Sequence, residues 1–474
     1  MGASLAAVSP AGELAIRIPT GDDPASGQML ALAPGPGGSH RDFSENVLAA
    51  DWAPDGSAMA VLRGGPANRI EYPPGRVVYQ SNNFQPQAIR ISHDGKLIAV
   101  AGIRLEGTSF HGEVGLIDRS GRFTVLNKST PGNQYVDSPV CWSPDGREVW
   151  FAGREMRDAG IVYAATLKGK LRRLLQLPNP IKLHDVRPDG GMLASVETSR
   201  SDIKVQNREG ALMLPWFGYS IFPKLTADGK RVIFEEAASG QFPQTIYLRS
   251  LDNSPAIKIS DGIPITVAPS GRYVIAWRPQ SDPAYVIVPT GAGQEKPIRL
   301  DGYEPGPSAL IAWVPNERSL IVRGREPAHQ WRLVSYDIDS GTLGAITGEL
   351  NVEATSRLPV SPDGSSVFAK VGNKWLRFPI RGGTPTTVKG TNADEDILQS
   401  AADGRHVITA RLTPARGVSF FKLDIETGAR TQVAESTGEV GPRLMNADVS
   451  ADGSTVAYRV RTLRSTLYLI SGVQ

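Results

Sequence analysis

Short stretches of alternating apolar and polar residues recur along the chain, and the same turn introduces each of them. The turn is an apolar residue, two small residues of which the second is often Pro, then Asp-Gly. The copies are WAPDGSAMAVL from Trp52, ISHDGKLIAVA from Ile91, WSPDGREVWFA from Trp142 and VRPDGGMLASV from Val186. LTADGKRVIFE from Leu225, VAPSGRYVIAW from Val267 and WVPNERSLIVR from Trp313 follow. The series ends with VSPDGSSVFAK from Val360, SAADGRHVITA from Ser400 and VSADGSTVAYR from Val449, and a weaker copy, VSPAGELAIRI, starts at Val8. These eleven copies have a mean spacing of about 44 residues. Alternation of this kind predicts half-buried β-strands, and no 3.6-residue periodicity is sustained long enough to predict a helix.

Each copy has the chemistry of a hairpin turn. Proline presets φ at the first corner, Asp bonds back to nearby amides, and Gly takes the left-handed conformation. Two copies depart from the pattern: Ser270 replaces Asp, and Glu317 stands after Asn316 where Gly belongs. The second departure predicts a longer turn or one of another type. Between the copies lie looser strand–turn–strand segments such as VGLIDRSGRFTVL (114–126) and FFKLDIETGARTQV (420–433). Each unit therefore holds four strands.

A repeated four-stranded unit of this length predicts a propeller blade, whose two apolar faces are covered by its neighbours in a ring. Eleven blades exceed one ring. The expected fold is all-β: tandem β-propellers of four-stranded antiparallel blades, about five in residues 1–220 and six in 221–474.

Composition narrows the function. Lys+Arg 51 against Asp+Glu 48 leaves a net charge of +3, too weak a bias for a nucleic-acid footprint. The one cysteine, Cys141, excludes an intramolecular disulfide and a thiolate zinc site. No apolar run reaches membrane-spanning length, and the N-terminus lacks the pattern of a signal peptide. As written, the chain reads as cytoplasmic with no membrane insertion.

The hydrophobic-Ser-Pro-Asp-Gly hairpin resembles the WD-like repeat of TolB-type β-propellers. The phrases RIEYPPGRVVYQ (69–80), DSPVCWSPDGREVWFAG (137–153), KLHDVRPDGGMLAS (182–195) and VSADGSTVAYRVRTLRSTLYLISGVQ (449–474) resemble a narrower group. This is the propeller region that follows the kinase domain in bacterial membrane-anchored serine/threonine kinases. That resemblance implies a sensor module, extracytoplasmic in such kinases. The sequence has neither a kinase domain nor a membrane helix.

Catalytic motifs are few. His40-Arg41-Asp42 with Asn46 resembles a kinase catalytic loop, but the Asn is one residue early and no Gly-rich loop precedes it; an outer blade strand is the expectation. Gly2-Ala3-Ser4-Leu5-Ala6 lacks the strand and helix of a nucleophile elbow, and no α/β-hydrolase domain accompanies the propellers. The six histidines have no metal-ligand spacing, and Asp337–Gly341 lacks the remaining ligands of a calcium loop. Trp52, Trp142 and Trp313 occupy equivalent positions and are expected as wedges between blades. No cofactor is predicted.

The residue before each apolar turn position belongs to the innermost strand and varies, with Asp and Arg or Lys among its members. The candidate binding residues are Asp51, Arg90, Asp185, Lys224 and Asp448, with His184 beside Asp185. They form either a self-satisfied polar belt or a ligand-binding mouth. The predicted function is a non-enzymatic sensor or scaffold that binds a protein or small-molecule ligand. A TolB-like periplasmic interaction protein and a channel-mouth enzyme of lyase or lactonase type are the alternatives.

Overall fold

The computed structural model describes residues 3–20, 28–65, 67–106, 109–129, 139–155, 159–236, 244–252, 254–279, 281–304, 310–414, 417–436, 440 and 444–472. Among them there is no α-helix, and the strands form antiparallel sheets, eight of them four-stranded. The fold is all-β, a pair of β-propellers built from these blades.

The turn at Ser143 shows why the repeat folds as it does. Ser143 N–H donates to Glu148 O (2.9 Å), and Gly146 N–H donates to Ser143 O (2.8 Å) with Gly146 at φ 68°. The Ser143 hydroxyl donates to Asp145 Oδ1 (2.7 Å) and accepts from Glu148 N–H (2.9 Å). Asp145 Oδ1 also accepts from Arg147 N–H (3.1 Å). These bonds, the Ser143 hydroxyl first, hold the Asp145 carboxyl below its usual range. The same hydroxyl-to-Asp bond recurs from Ser92, Thr226, Ser361 and Ser450. The bond from the N–H after the Asp position to the carbonyl three residues earlier recurs in all eleven copies, while the closing bond is one residue shorter at Ser9 and Arg187.

The two departing copies correct one expectation. At Asn316 the turn is neither longer nor different: Val314 N–H reaches Ser319 O (3.0 Å) and Glu317 N–H reaches Val314 O (2.9 Å). Glu317 adopts φ 55°, the conformation Gly has elsewhere. Its carboxylate accepts from Ser270 N–H (2.5 Å) and from the Ser270 hydroxyl (2.9 Å). The two irregular turns are thus bonded to each other, and the bond offsets the strain of a side chain at positive φ.

The chain divides into two compact units, residues 1–198 with 463–474, and residues 199–462; repeat spacing alone puts the division at 220/221. In the first unit, four complete blades follow in sequence. Their innermost strands are Ser4–Val8, Val47–Trp52, Phe84–Ile91 and Val140–Trp142. The fifth blade has Ile181–Val186 innermost, then 192–198, then 463–470. No fourth strand follows among the described residues.

Buried apolar clusters join consecutive blades of this unit. Leu30 and Val61 lie in the first cluster, Leu62 and Ile98 in the second, Val114 and Trp142 in the third, Trp150 and Leu183 in the fourth. Among the described residues no fifth cluster returns to the first blade. Trp142 and Trp313 are buried and Trp52 half-buried; the Trp142 indole donates to Arg90 O of the preceding blade (3.1 Å). They stand as wedges.

The second unit holds six blades. Four are complete and sequential, starting at Ser220–Leu225, Ile263–Val267, Ile311–Trp313 and Glu395–Ser400. In the blade before Glu395, Pro359 stands at the innermost position. Proline cannot donate to the ladder, and the inner strand shrinks to a bridge between Val360 and Val367. The sixth blade is assembled from both ends of the unit: Ala447–Val449, 456–462, 199–207 and Gly210–Leu214. Its Ile203, Val205, Leu214 and Ala457 pack against Leu225, Val232 and Phe234 of the first blade. With this contact, six clusters join six blades in a closed ring, which leaves no unpaired blade face.

Candidate functional site

The predicted site residues fall into two groups, one in each unit. In the first unit, Asp51 is buried on the second blade, and its Oδ2 accepts from Ile91 N–H of the third (2.7 Å). Its Oδ1 pairs with Arg90 Nη1 (3.2 Å). Burial pushes the Asp51 carboxyl up, against the pull of Arg90 and of the Ile91 amide. Arg90 also donates to His184 O (3.0 Å) and lies 3.8 Å from Asp185 Oδ1 on the fifth blade. One guanidinium therefore ties three blades together.

His184 occupies a bulge: Leu183 pairs with Ala194 and Asp185 with Leu193, and His184 is the extra residue. Its Nε2 is hydrogen-bonded to the Ser195 hydroxyl (2.8 Å), and burial, then Lys182, lowers its pKa. The Asp185 side chain is 63% exposed. Cys141, on the fourth blade, is buried, and burial pushes its thiol up to about 12.

In the second unit, Asp448 repeats the bond made by Asp51. Its Oδ2 accepts from Leu225 N–H on the next blade (2.7 Å), and its Oδ1 accepts from Val449 N–H (2.7 Å). Beside it lie Lys224, 4% exposed, and Arg357, a residue the sequence reading missed. Arg357 Nη2 is 2.9 Å from Asp448 Oδ1 as an ion pair without hydrogen-bond alignment. Its Nε and Nη2 are buried with no hydrogen-bond acceptor. Burial, then Arg357, pushes the Lys224 ammonium down to about 7. Arg357 lies just before the bridge at Val360, where no regular strand forms, so no repeat position in the sequence marks it; its contact with Asp448 places it at the centre.

The remaining motifs are structural. Arg41–Ser44 is the outer strand of the first blade, paired with Gln28–Ala33. Ser4 lies in the first strand, while Gly2 falls outside the described residues. Asp337 Oδ1 accepts from the amides of Asp339 and Ser340, an ordinary hairpin turn. Among the described residues no group of three or more His, Cys, Asp or Glu side chains is arranged to hold a metal ion, and no helix is long and apolar enough to cross a membrane.

A further surface stands out in the first unit. In its other four blades the third strand is mostly buried. In the fifth blade, the third strand exposes Leu463 (47%), Leu467 (61%), Tyr468 (48%) and Leu469 (54%).

No family model and no curated protein matches the sequence. Among solved structures, a protein assigned as TolB from Agrobacterium tumefaciens is similar at 18% identity and TM-score 0.43, covering 56% of this chain and 99% of that one. The tricorn protease is similar at 12% identity and TM-score 0.38; 96% of this chain is covered, but only 62% of the protease. TolB from Acinetobacter baumannii has 13% identity and TM-score 0.21, with 95% and 81% covered.

Proposed function

We propose that the chain is a non-enzymatic, protein-binding pair of β-propellers, a sensor or scaffold module working with a bacterial serine/threonine kinase. Its partner adds a strand to the first unit along 463–470. The observation that carries this reading is the exposure of that strand. A third-position strand is elsewhere covered by a fourth strand and a neighbouring blade. Here its outer edge pairs with no described strand, and it presents Leu463, Leu467, Tyr468 and Leu469 to solvent. An open apolar edge is a template for strand addition, in which main-chain bonds give affinity and side-chain pockets give specificity.

The occupant is an extended apolar segment of the partner, with an acidic residue facing Arg464, the one charged residue of 463–470. The inner-strand ion pairs support a non-catalytic role, because Asp51 and Asp448 are spent on bonds between blades. Asp185 and the exposed edge of Arg90 are the groups left for a ligand at the centre of the first unit. The kinase link rests on the sequence resemblance.

Co-purification from source cells tests both parts, comparing the tagged chain with a Leu467→Asp/Leu469→Asp variant. We expect a serine/threonine kinase retained by the wild type and lost from the variant, with the wild type monomeric by light scattering. Equal retention, or absence of any kinase, refutes the reading. So does a wild-type dimer that the substitutions dissociate.

A further inference from the structure

We propose that the centre of the second unit is a binding site for a compact oxyanion, a phosphate or a carboxylate, held by the Lys224 ammonium and the Arg357 guanidinium. The argument begins with charge. Lys224 is 4% exposed, the Arg357 side chain 15% and the Asp448 side chain 3%. Two cations thus share one carboxylate in a buried place.

One carboxylate charge cannot balance two cations. Asp448 Oδ2 is engaged by Leu225 N–H and its Oδ1 by Val449 N–H, at 2.7 Å each. Arg357 approaches Oδ1 out of line, and its Nε and Nη2 keep their protons without acceptors. No described residue accepts a hydrogen bond from Lys224. A buried donor left unmatched costs about 1–3 kcal/mol, more when charged, and an unpaired buried charge costs several. A sequence that keeps both cations at this place gains when an anion supplies the missing charge and acceptors.

The donor set selects the ligand. A guanidinium offers two parallel N–H groups that match the oxygens of a carboxylate or phosphate, and an ammonium adds a point charge. Chloride has no paired oxygens to match the fork. The centre of the first unit has no such surplus: Arg90 is met by Asp51, Asp185 and His184 O. The site is independent of the strand edge at 463–470, and either reading can fail without the other.

The probes are inorganic phosphate, acetate and chloride, titrated into the full chain by calorimetry, with the thermal midpoint followed in parallel. We expect saturable binding of phosphate or acetate that raises the midpoint, with chloride inactive at equal ionic strength. Whichever oxyanion binds tighter names the source. Lys224→Met and Arg357→Gln should each weaken binding at least tenfold, and Arg357→Lys should recover part of it. Lys224→Met removes the cation in excess over one carboxylate, leaves a side chain of similar length and should stay folded. Absence of saturable oxyanion binding to the wild type overturns the proposal, as does unchanged affinity in Lys224→Met. Equal binding of chloride does so too.

Discussion

The same two long strands build the last blade of each unit, with opposite results. Met192–Asn207 supplies the second strand of the first unit's fifth blade and the third strand of the second unit's sixth. Val456–Ile470 does the reverse. In the second unit the third-position segment is covered, with Ser201, Asp202, Ile203 and Val205 buried. In the first unit the third-position segment exposes three leucines and a tyrosine. Residue type does not account for this, since the covered segment, with Ser201 and Asp202, is the more polar of the two. The difference is the fourth strand, Gly210–Leu214, and the blade that packs on it. A blade's third strand becomes core only when something covers it, and among the described residues nothing covers 463–470.

The largest test of this contrast is a pair of truncations. Phe234 is fully buried in the closing cluster and stacks on Tyr247 with ring centroids 6.0 Å apart. Phe234→Ala should destabilise the second unit by about 3–5 kcal/mol in denaturant unfolding. Leu467→Ala, on the exposed strand, should stay within about 0.5 kcal/mol of wild type. A comparable loss at Leu467 would mean that the strand is already covered.

The two centres offer a second contrast. Asp448→Ala abandons Lys224 and Arg357 in a buried place, and removing one partner of such a pair costs about 3–5 kcal/mol. Asp51→Ala should cost less, about 1–3 kcal/mol, because Arg90 is 23% exposed and keeps Asp185 and His184 O. Equal losses by urea unfolding would remove the distinction between a balanced centre and a cation-rich one.

Proton linkage sharpens the same point. Burial, then Arg357, holds the folded Lys224 ammonium down to about 7, against its ordinary value of 10.5. Between those values the unfolded chain binds one more proton, so stability rises with pH across the window. Below about 7 both states carry the proton and the slope vanishes. In phosphate- and carboxylate-free buffer, wild type should therefore gain stability relative to Lys224→Met from pH 7 to 10, by at most about 1.4 kcal/mol per pH unit. A flat difference would place the ammonium in water.

What the sequence disclosed follows from the range of each interaction. The turns were legible because Ser143, Asp145 and Gly146 act on each other within a few residues. The Asp51–Arg90 pair was legible as opposite charges at one repeat position, although the position alone could not tell a belt from a mouth. Closure was hidden. The Arg459 guanidinium bonds the Ser201 hydroxyl (2.9 Å) across 258 residues, and neither segment carries a local mark of its partner. Arg357 was overlooked because it lies just before the bridge at Val360, where no regular strand displays it.

The smallest effect comes from the two irregular turns, and its size is informative. Glu317 sits at φ 55°, where a side chain costs about 1–2 kcal/mol relative to Gly. Glu317→Gly removes that strain and also removes the carboxylate that accepts from Ser270 N–H and its hydroxyl. Those bonds lie at the surface and contribute about 0.5–1.5 kcal/mol, so the single substitution should change stability by no more than about 1.5 kcal/mol. Ser270→Asp should behave differently in the two backgrounds. Beside Glu317 it sets carboxylate against carboxylate and destabilises; in the Glu317→Gly background it restores the common turn and costs nothing. A double-mutant cycle that returned no coupling between the two positions would mean that the motif failed twice independently, rather than once in a paired exchange.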